Sequence, residues 1–345
     1  MQIKKSYFGA ANGYAGFRSN FDRIFGYPKV EKLFIIKGGP GTGKSTLMRK
    51  IHRQYSDRLD CTQIFCSSDP ESLDGVLISG SGKTVGIVDG TSPHVLEPMY
   101  PGAVEEIINL GDAFNVSDLS RRKDEIVALS NKKKECYSHA YKSLGSAGEV
   151  HKYIYDNLLN CGCYTEAEQI TRGIVSTERC GANLHTKSDL LTGAFSKNGY
   201  TRMKNLYPSK RLVTVANDGI IGYFVMAKIV DMLEKGSVDF TSFPSAFSSD
   251  LTDLILTDST VYALTEDSEY DVNSLLIKEC FKGYDECKAT YDHYIEEARF
   301  SLTKASEYHF LLESIYSGAT DFQENEKKYD ELTKRIDALL INNVD

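Results

Sequence analysis

Between Leu33 and Ile51 the chain reads as a buried strand, a glycine-rich turn and an amphipathic helix in immediate succession. Leu33-Phe34-Ile35-Ile36 is an uninterrupted apolar run, as expected of a parallel strand covered on both faces. Lys44, Leu47, Met48, Ile51 and Tyr55 recur at helical spacing. The eight residues between, Gly38-Gly39-Pro40-Gly41-Thr42-Gly43-Lys44-Ser45, form a complete phosphate-binding loop signature. Glycines let the backbone curl so that successive N–H groups point inward, and the helix N-terminus adds the positive end of its dipole. The expected ligand is ATP or GTP with Mg²⁺, bound by residues 38–46 including Thr46. Lys44 would neutralise the β- and γ-phosphates, and the Ser45 hydroxyl would ligate the metal.

A second acidic residue is expected at the end of a neighbouring strand, and Val85-Gly86-Ile87-Val88-Asp89 supplies it. Asp89 would hold Mg²⁺ through its water shell, in partnership with Ser45. The residue after it is Gly90, where many motor-like ATPases carry a catalytic glutamate. Glu97, Glu105 and Glu106 are the more distant carboxylate candidates. Gly90–His94 follows directly and would sense a γ-phosphate through Thr91, Ser92 or His94 in an order–disorder switch, or else His94 is simply a turn residue. Asp69, at the end of the preceding strand, would orient water or accept a substrate proton, or else cap a helix starting at Pro70. Transition-state charge calls for an arginine, for which Arg121, Arg122, Arg202 and Arg211 are the candidates. The expected function is NTP hydrolysis, slow or partner-stimulated, that repositions the helical arms. The alternatives are a small-molecule or nucleotide kinase, for which Asp69 and Arg121/Arg122 are the only hints, and a nucleotide-gated binding module without turnover.

Internal matches suggest that the chain is written twice. Asn12-Gly13-Tyr14 recurs as Asn198-Gly199-Tyr200, and Leu33–Ile51 aligns without gaps to Arg211–Ile229. Pro70 pairs with Pro244, Asp89 with Asp258, and Glu149-x-His151 with Glu307-x-His309. The second copy carries Ala216, Ile221, Gly222 and Tyr223 where the first has Gly38, Gly43, Lys44 and Ser45. It therefore lacks both the phosphate lysine and the metal hydroxyl. The expected organisation is a domain over residues 1–185 with a helical arm at about 117–160, then a degenerate domain over 186–345 with an arm at about 273–340. Alternating strands and helices predict parallel three-layer α/β sheets. Gly145–Gly148 reads as the tip of a helical hairpin. The arms suit either a protein partner or simple capping of the sheet.

At 345 residues the length accommodates two domains, and a net charge of −8 disfavours general nucleic-acid binding. No apolar run approaches the roughly 20 residues that span a bilayer, and no secretory signal is read, so a cytoplasmic setting is expected. Cys161-Gly162-Cys163, with Cys180 and His185, has no common zinc spacing and reads as structural thiols.

The segments Phe34–Thr46, Cys66–Gly75, Val88–His94 and Tyr100–Asn109 together resemble a family of tandem P-loop ATPase-like proteins from bacteria. The resemblance covers nearly the whole chain and is strongest over Ile35–Gly111. It implies two P-loop-type domains and nucleotide binding at the first loop. In that family the second half often resembles a working loop too; residues 216–223 depart from it.

Overall fold

The computed structural model describes residues 5–160, 171–173, 175, 178–182, 184–204, 206–216, 219–265 and 281–341. Cys161 and Cys163 lie outside them, as does the start of the second expected arm, residues 273–280. The chain is a mixed α/β protein. Its first half runs β1 (Lys5–Phe8), β2 (Ala10–Gly13), β3 (Gly16–Ser19), α1 (Phe21–Phe25), β4 (Lys32–Lys37), α2 (Lys44–Tyr55), β5 (Asp60–Phe65), β6 (Leu73–Gly80), β7 (Lys83–Asp89) and β8 (Glu105–Asn109). Next come α3 (Val116–Arg121) and the long α4 (Lys123–Asn160). The second half runs β9 (His185–Lys187), β10 (Gly193–Ser196), β11 (Gly199–Arg202), β12 (Arg211–Ala216), α5 (Ile221–Lys235), β13 (Phe240–Pro244), β14 (Thr252–Leu256) and β15 (Thr260–Thr265). It closes with α6 (Tyr284–Gly318) and α7 (Phe322–Leu340).

The first sheet has the order β1-β5-β6-β7-β4-β8 and the second β9-β13-β14-β15-β12. The two agree strand for strand up to β4 and β12. Directions agree as well: β6 is antiparallel to both neighbours and β14 to both of its own, while the flanking pairs are parallel. The expected wholly parallel sheet is thus corrected to a mixed one. The antiparallel strand β6 turns into β7 through Ser81 and Gly82, both with positive φ (48° and 74°). Two such residues in succession make the tight turn that joins antiparallel strands.

Each sheet carries the same irregularity. The β5–β6 register shifts at Ile64/Phe65, skipping Asp74, and the β13–β14 register shifts at Phe243/Pro244, skipping Asp253. Asp74 and Asp253 therefore occupy matching places, and Pro244 matches Phe65 rather than Pro70. Asp258 falls in the turn between β14 and β15, so it is not the counterpart of Asp89; the end of β15 carries Leu264 and Thr265. The hairpins likewise match Gly16 to Gly199, both with positive φ, three residues away from the expected pairing of Gly13 with Gly199. The gapless strand alignment is one residue out as well. Phe34 and Ile36 pack toward α2, and their partners in facing α5 are Val213 and Val215. A one-residue slip in a strand exchanges its faces.

Two further expectations are corrected. No helix starts at Pro70; Cys66 N–H donates to Ser72 O and Ser72 N–H to Asp69 O, closing a turn that leads into β6. Gly145 and Gly148 do not turn the chain but lie inside continuous α4. A Cβ on Gly148 would sit 2.8 Å from the Tyr14 ring, so close packing explains this glycine.

Instead of forming one hairpin per half, α4 and α6 pack antiparallel along each other, with Ala140, Leu144, Ala147, Ala298, Leu302 and Ala305 fully or almost fully buried. The covering helices are also exchanged. Leu332, Ile336 and Leu340 of α7 lie in the core of the first sheet with Phe34, Ile36, Leu47 and Met48. The later part of α4 (Leu144, Ile154, Leu158) lies in the core of the second sheet with Val213, Val215 and Met226. A cut at residue 185 would strip each sheet of one covering helix. Among the described residues no helix is long and apolar enough to cross a membrane.

Candidate phosphate-binding site

β4 delivers the glycine loop to the carboxyl edge of the first sheet, and α2 leaves from Lys44. Gly41 and Gly43 have φ of 71° and 86°, conformations that side chains resist and glycine accepts. Parallel pairing of β4 with β7 sets Ile36 opposite Asp89, placing the acid beside the loop. Lys44 Nζ donates to Gly38 O at 3.1 Å and to Gly39 O at 2.8 Å, and lies 3.6 Å from Asp89 Oδ2. Asp89 Oδ1 accepts from Thr91 N–H and from Thr91 Oγ1–H. Ser45 Oγ accepts from Leu73 N–H at 2.9 Å, which leaves its second lone pair and its proton for another partner.

The structure thus brings Lys44, Ser45 and Asp89 together, and this donor set suits a magnesium–phosphate ligand. The cradle must be glycine: a Cβ on Gly41 would meet the Glu313 carbonyl oxygen at 2.5 Å, and one on Gly39 the Tyr316 ring at 2.9 Å. No cluster of three or more His, Cys, Asp or Glu suited to a metal is found among the described residues. A Mg²⁺ bound by one hydroxyl, one carboxylate, phosphate oxygens and water needs no such cluster.

Several of the remaining sequence candidates have other partners. His94 is buried, stacks on Phe21 at 4.5 Å, and bonds through Nε2 to Asp74 Oδ2 at 3.1 Å. It packs in the core, near enough to Asp89 to feel its charge. Burial disfavours its charge, yet the Asp74 hydrogen bond and charge outweigh that and hold its pKa above the ordinary value. The charged form therefore stabilises the fold fully below about pH 6.5, and the contribution disappears as pH rises through the raised folded pKa. His94→Leu should destabilise by about 3 kcal/mol at pH 6, because buried Asp74 loses its charged partner. The deficit should shrink toward pH 9. Urea unfolding at both pH values checks this; an equal deficit at both would refute the charged pair.

Glu97 pairs with Lys37, Glu105 accepts from Tyr100 N–H, and Glu106 pairs with Arg335 and Lys32. Arg121 and Arg122 pair within their own helical turns, and Arg202 pairs with buried Asp253 in the second half. Arg211 starts the edge strand β12 of the second sheet. Asp69 is exposed at the rim, near enough to Glu313 that its charge, after burial, helps raise the Glu313 pKa.

What the sequence reading missed is a wall built by the long helices and by the second half. Lys133 of α4 approaches His309 Nδ1 of α6 at 3.4 Å, and His309 Nε2 lies 3.6 Å from Glu313. Lys197, in the β10–β11 turn, donates to Ser306 Oγ at 2.9 Å. Burial and the charges of Lys133 and Lys44 press the His309 pKa down to about 4. Burial and Lys44 lower that of Lys133. The wall thus brings Lys133 and Lys197 together with His309 and Glu313, near enough to Lys44 to feel its charge. Only the Glu307-x-His309 match hinted at it, since Lys133 and Lys197 carry no motif.

The corresponding place in the second half is filled by tyrosines. Tyr223 is buried, with its hydroxyl 2.8 Å from Ser245 Oγ and donating to Asp253 Oδ1 at 3.0 Å. Tyr14, from the hairpin turn of the first half, places its hydroxyl 3.0 Å from that of Tyr291, whose ring lies 3.1 Å from where a Cβ on Gly219 would be. Each half thus sends a hairpin tip toward the other half's loop, Lys197 to the first and Tyr14 to the second. A cavity of about 570 Å³ lies beside these tyrosines and His151, away from the glycine loop. No protein-family model, curated protein or solved structure matches the chain.

Proposed function

We propose that the protein binds a magnesium nucleoside triphosphate, ATP or GTP, at residues 38–46, and hydrolyses it slowly or on stimulation by a protein partner. The observation that carries this reading is the convergence of Lys44, Ser45 and Asp89 on one glycine cradle, set by the Ile36–Asp89 register. In this reading the sheets are tandem P-loop-type domains, the second degenerate, in a cytoplasmic protein. Lys44 exchanges its bonds to Gly38 O and Gly39 O for phosphate oxygens, and Asp89 and Ser45 hold the metal. Bound Mg²⁺ supplies charge neutralisation at the β- and γ-phosphates. Slow turnover follows from the engagement of Glu97, Glu105 and Glu106 in other contacts, which leaves none of these three to orient water. The Glu313–Tyr316 turn of α6 lies against Gly39 and Gly41, so a ligand that reshapes the loop moves the α4–α6 pair.

Calorimetric titration with Mg·ATP and Mg·GTP, followed by phosphate-release measurements, tests this. Saturable 1:1 binding that EDTA weakens is expected, with turnover far below the common enzyme range of about 1–10³ s⁻¹. Absence of binding to either nucleotide would overturn the reading, as would two equivalent sites per chain.

A further inference from the structure

The α7 helix that completes the first core also borders the loop. Asn325 Nδ2 donates to Thr42 O at 2.9 Å, fixing the orientation of its amide. Its Oδ1 is buried and has no hydrogen-bond partner, and the residue is only 8% exposed. A buried acceptor without a donor is unfavourable, and one held beside a ligand loop has a plain use. One turn earlier, Phe322 lies 3.6 Å from where a Cβ on Gly43 would be, yet 44% of its surface is exposed. Gly43, Thr46, Leu47, Lys50, Asn325 and Tyr329, among others, line a groove between α2 and α7 that opens at the first turn of α2. The groove lies on the β8 side of the loop, where Lys328 ties α7 to Asn109 O and Asp112.

Resting on the nucleotide reading above, we propose that this groove is the nucleoside subsite. The base stacks on Phe322, and a donor on the nucleoside bonds to Asn325 Oδ1. The enclosed part of the groove holds about 80 Å³. That admits an amino or hydroxyl edge but not a whole nucleoside, so the ring lies over the open face of Phe322. The phosphates then run from Thr46 back across the cradle toward Lys44 and the Lys133–Lys197 wall. The C-terminal helix thereby selects nucleotides over inorganic polyphosphate, which would use the cradle alone.

The test is calorimetric titration of the full chain with Mg·ATP and with magnesium tripolyphosphate. Phe322→Ala should weaken Mg·ATP binding about tenfold, the scale of one base–aromatic stack, and leave tripolyphosphate affinity within about twofold. Phe322→Tyr should restore wild-type ATP affinity, and Asn325→Leu should weaken ATP more than tripolyphosphate. Tripolyphosphate affinity reports directly that each variant still forms the loop. Parallel loss of both ligands in Phe322→Ala, or unchanged ATP affinity, would overturn the subsite. Failure of the wild type to bind either ligand would instead sink the nucleotide reading on which it rests.

Discussion

Lys44→Ala should lower Mg·ATP affinity by at least about a hundredfold, because a charge-assisted hydrogen bond contributes about 1.5–3 kcal/mol and Lys44 is placed to make two. Its ammonium already spans Gly38 O, Gly39 O and Asp89, so it sits at the inner wall of the cradle. Asp89 keeps both hydrogen bonds from Thr91 when Lys44 is removed, which preserves local order on that side. The informative comparison is therefore affinity against melting temperature in the same sample. A variant that melts like wild type and binds nucleotide equally well would show that the loop does not grip phosphate through Lys44. A variant that melts like wild type and no longer binds is the expected result.

Truncation after Asp321 should abolish cooperative folding of the first sheet. The cut removes only α7, which a reading by contiguous domains assigns to the second half. Leu332, Ile336 and Leu340 are at most 1% exposed and pack among Phe34, Ile36, Leu47 and Met48. Tyr55 also donates to Thr333 O at 3.0 Å and to Asp337 Oδ1 at 2.8 Å. Removing one such aliphatic side chain costs about 2–5 kcal/mol. Losing three at once rivals the roughly 5–15 kcal/mol that holds a whole domain folded. Urea unfolding followed by far-ultraviolet circular dichroism measures this. A single transition at the full-length midpoint would show that α7 is dispensable and that the covering helix is not exchanged. The same logic forbids a stable isolated segment 1–185.

Much of the candidate site was legible because it is local. Strand, glycine turn and helix are contiguous, and glycine at 41 and 43 permits the positive φ that the loop adopts there. Asp89 was legible because an apolar run ending in an acid marks a buried strand reaching a sheet edge. Other positions were misplaced for physical reasons. β6 was passed over because the parallel-sheet expectation required a crossover helix after β5, and Pro70 looked like its first turn. The turn at Ser81-Gly82 was the available signal for an antiparallel return. His94 looked like a loop residue because its partner Asp74 sits at a register irregularity that no linear pattern announces. Gly145 and Gly148 looked like a break because helix propensity counts the cost of glycine and cannot count the Tyr14 ring that it admits.

The sequence by itself determined the glycine cradle, the lysine, hydroxyl and carboxylate that face it, and the loss of that chemistry from the second half. These depend on residue type and short spacing, which act before the chain is compact. Only the tertiary structure decided that α7 covers the first sheet, that α4 covers the second, and that Lys133, Lys197 and His309 stand over the loop. Such contacts join residues from different parts of the chain through the burial of apolar helix faces, and burial is indifferent to which part of the chain provides the partner.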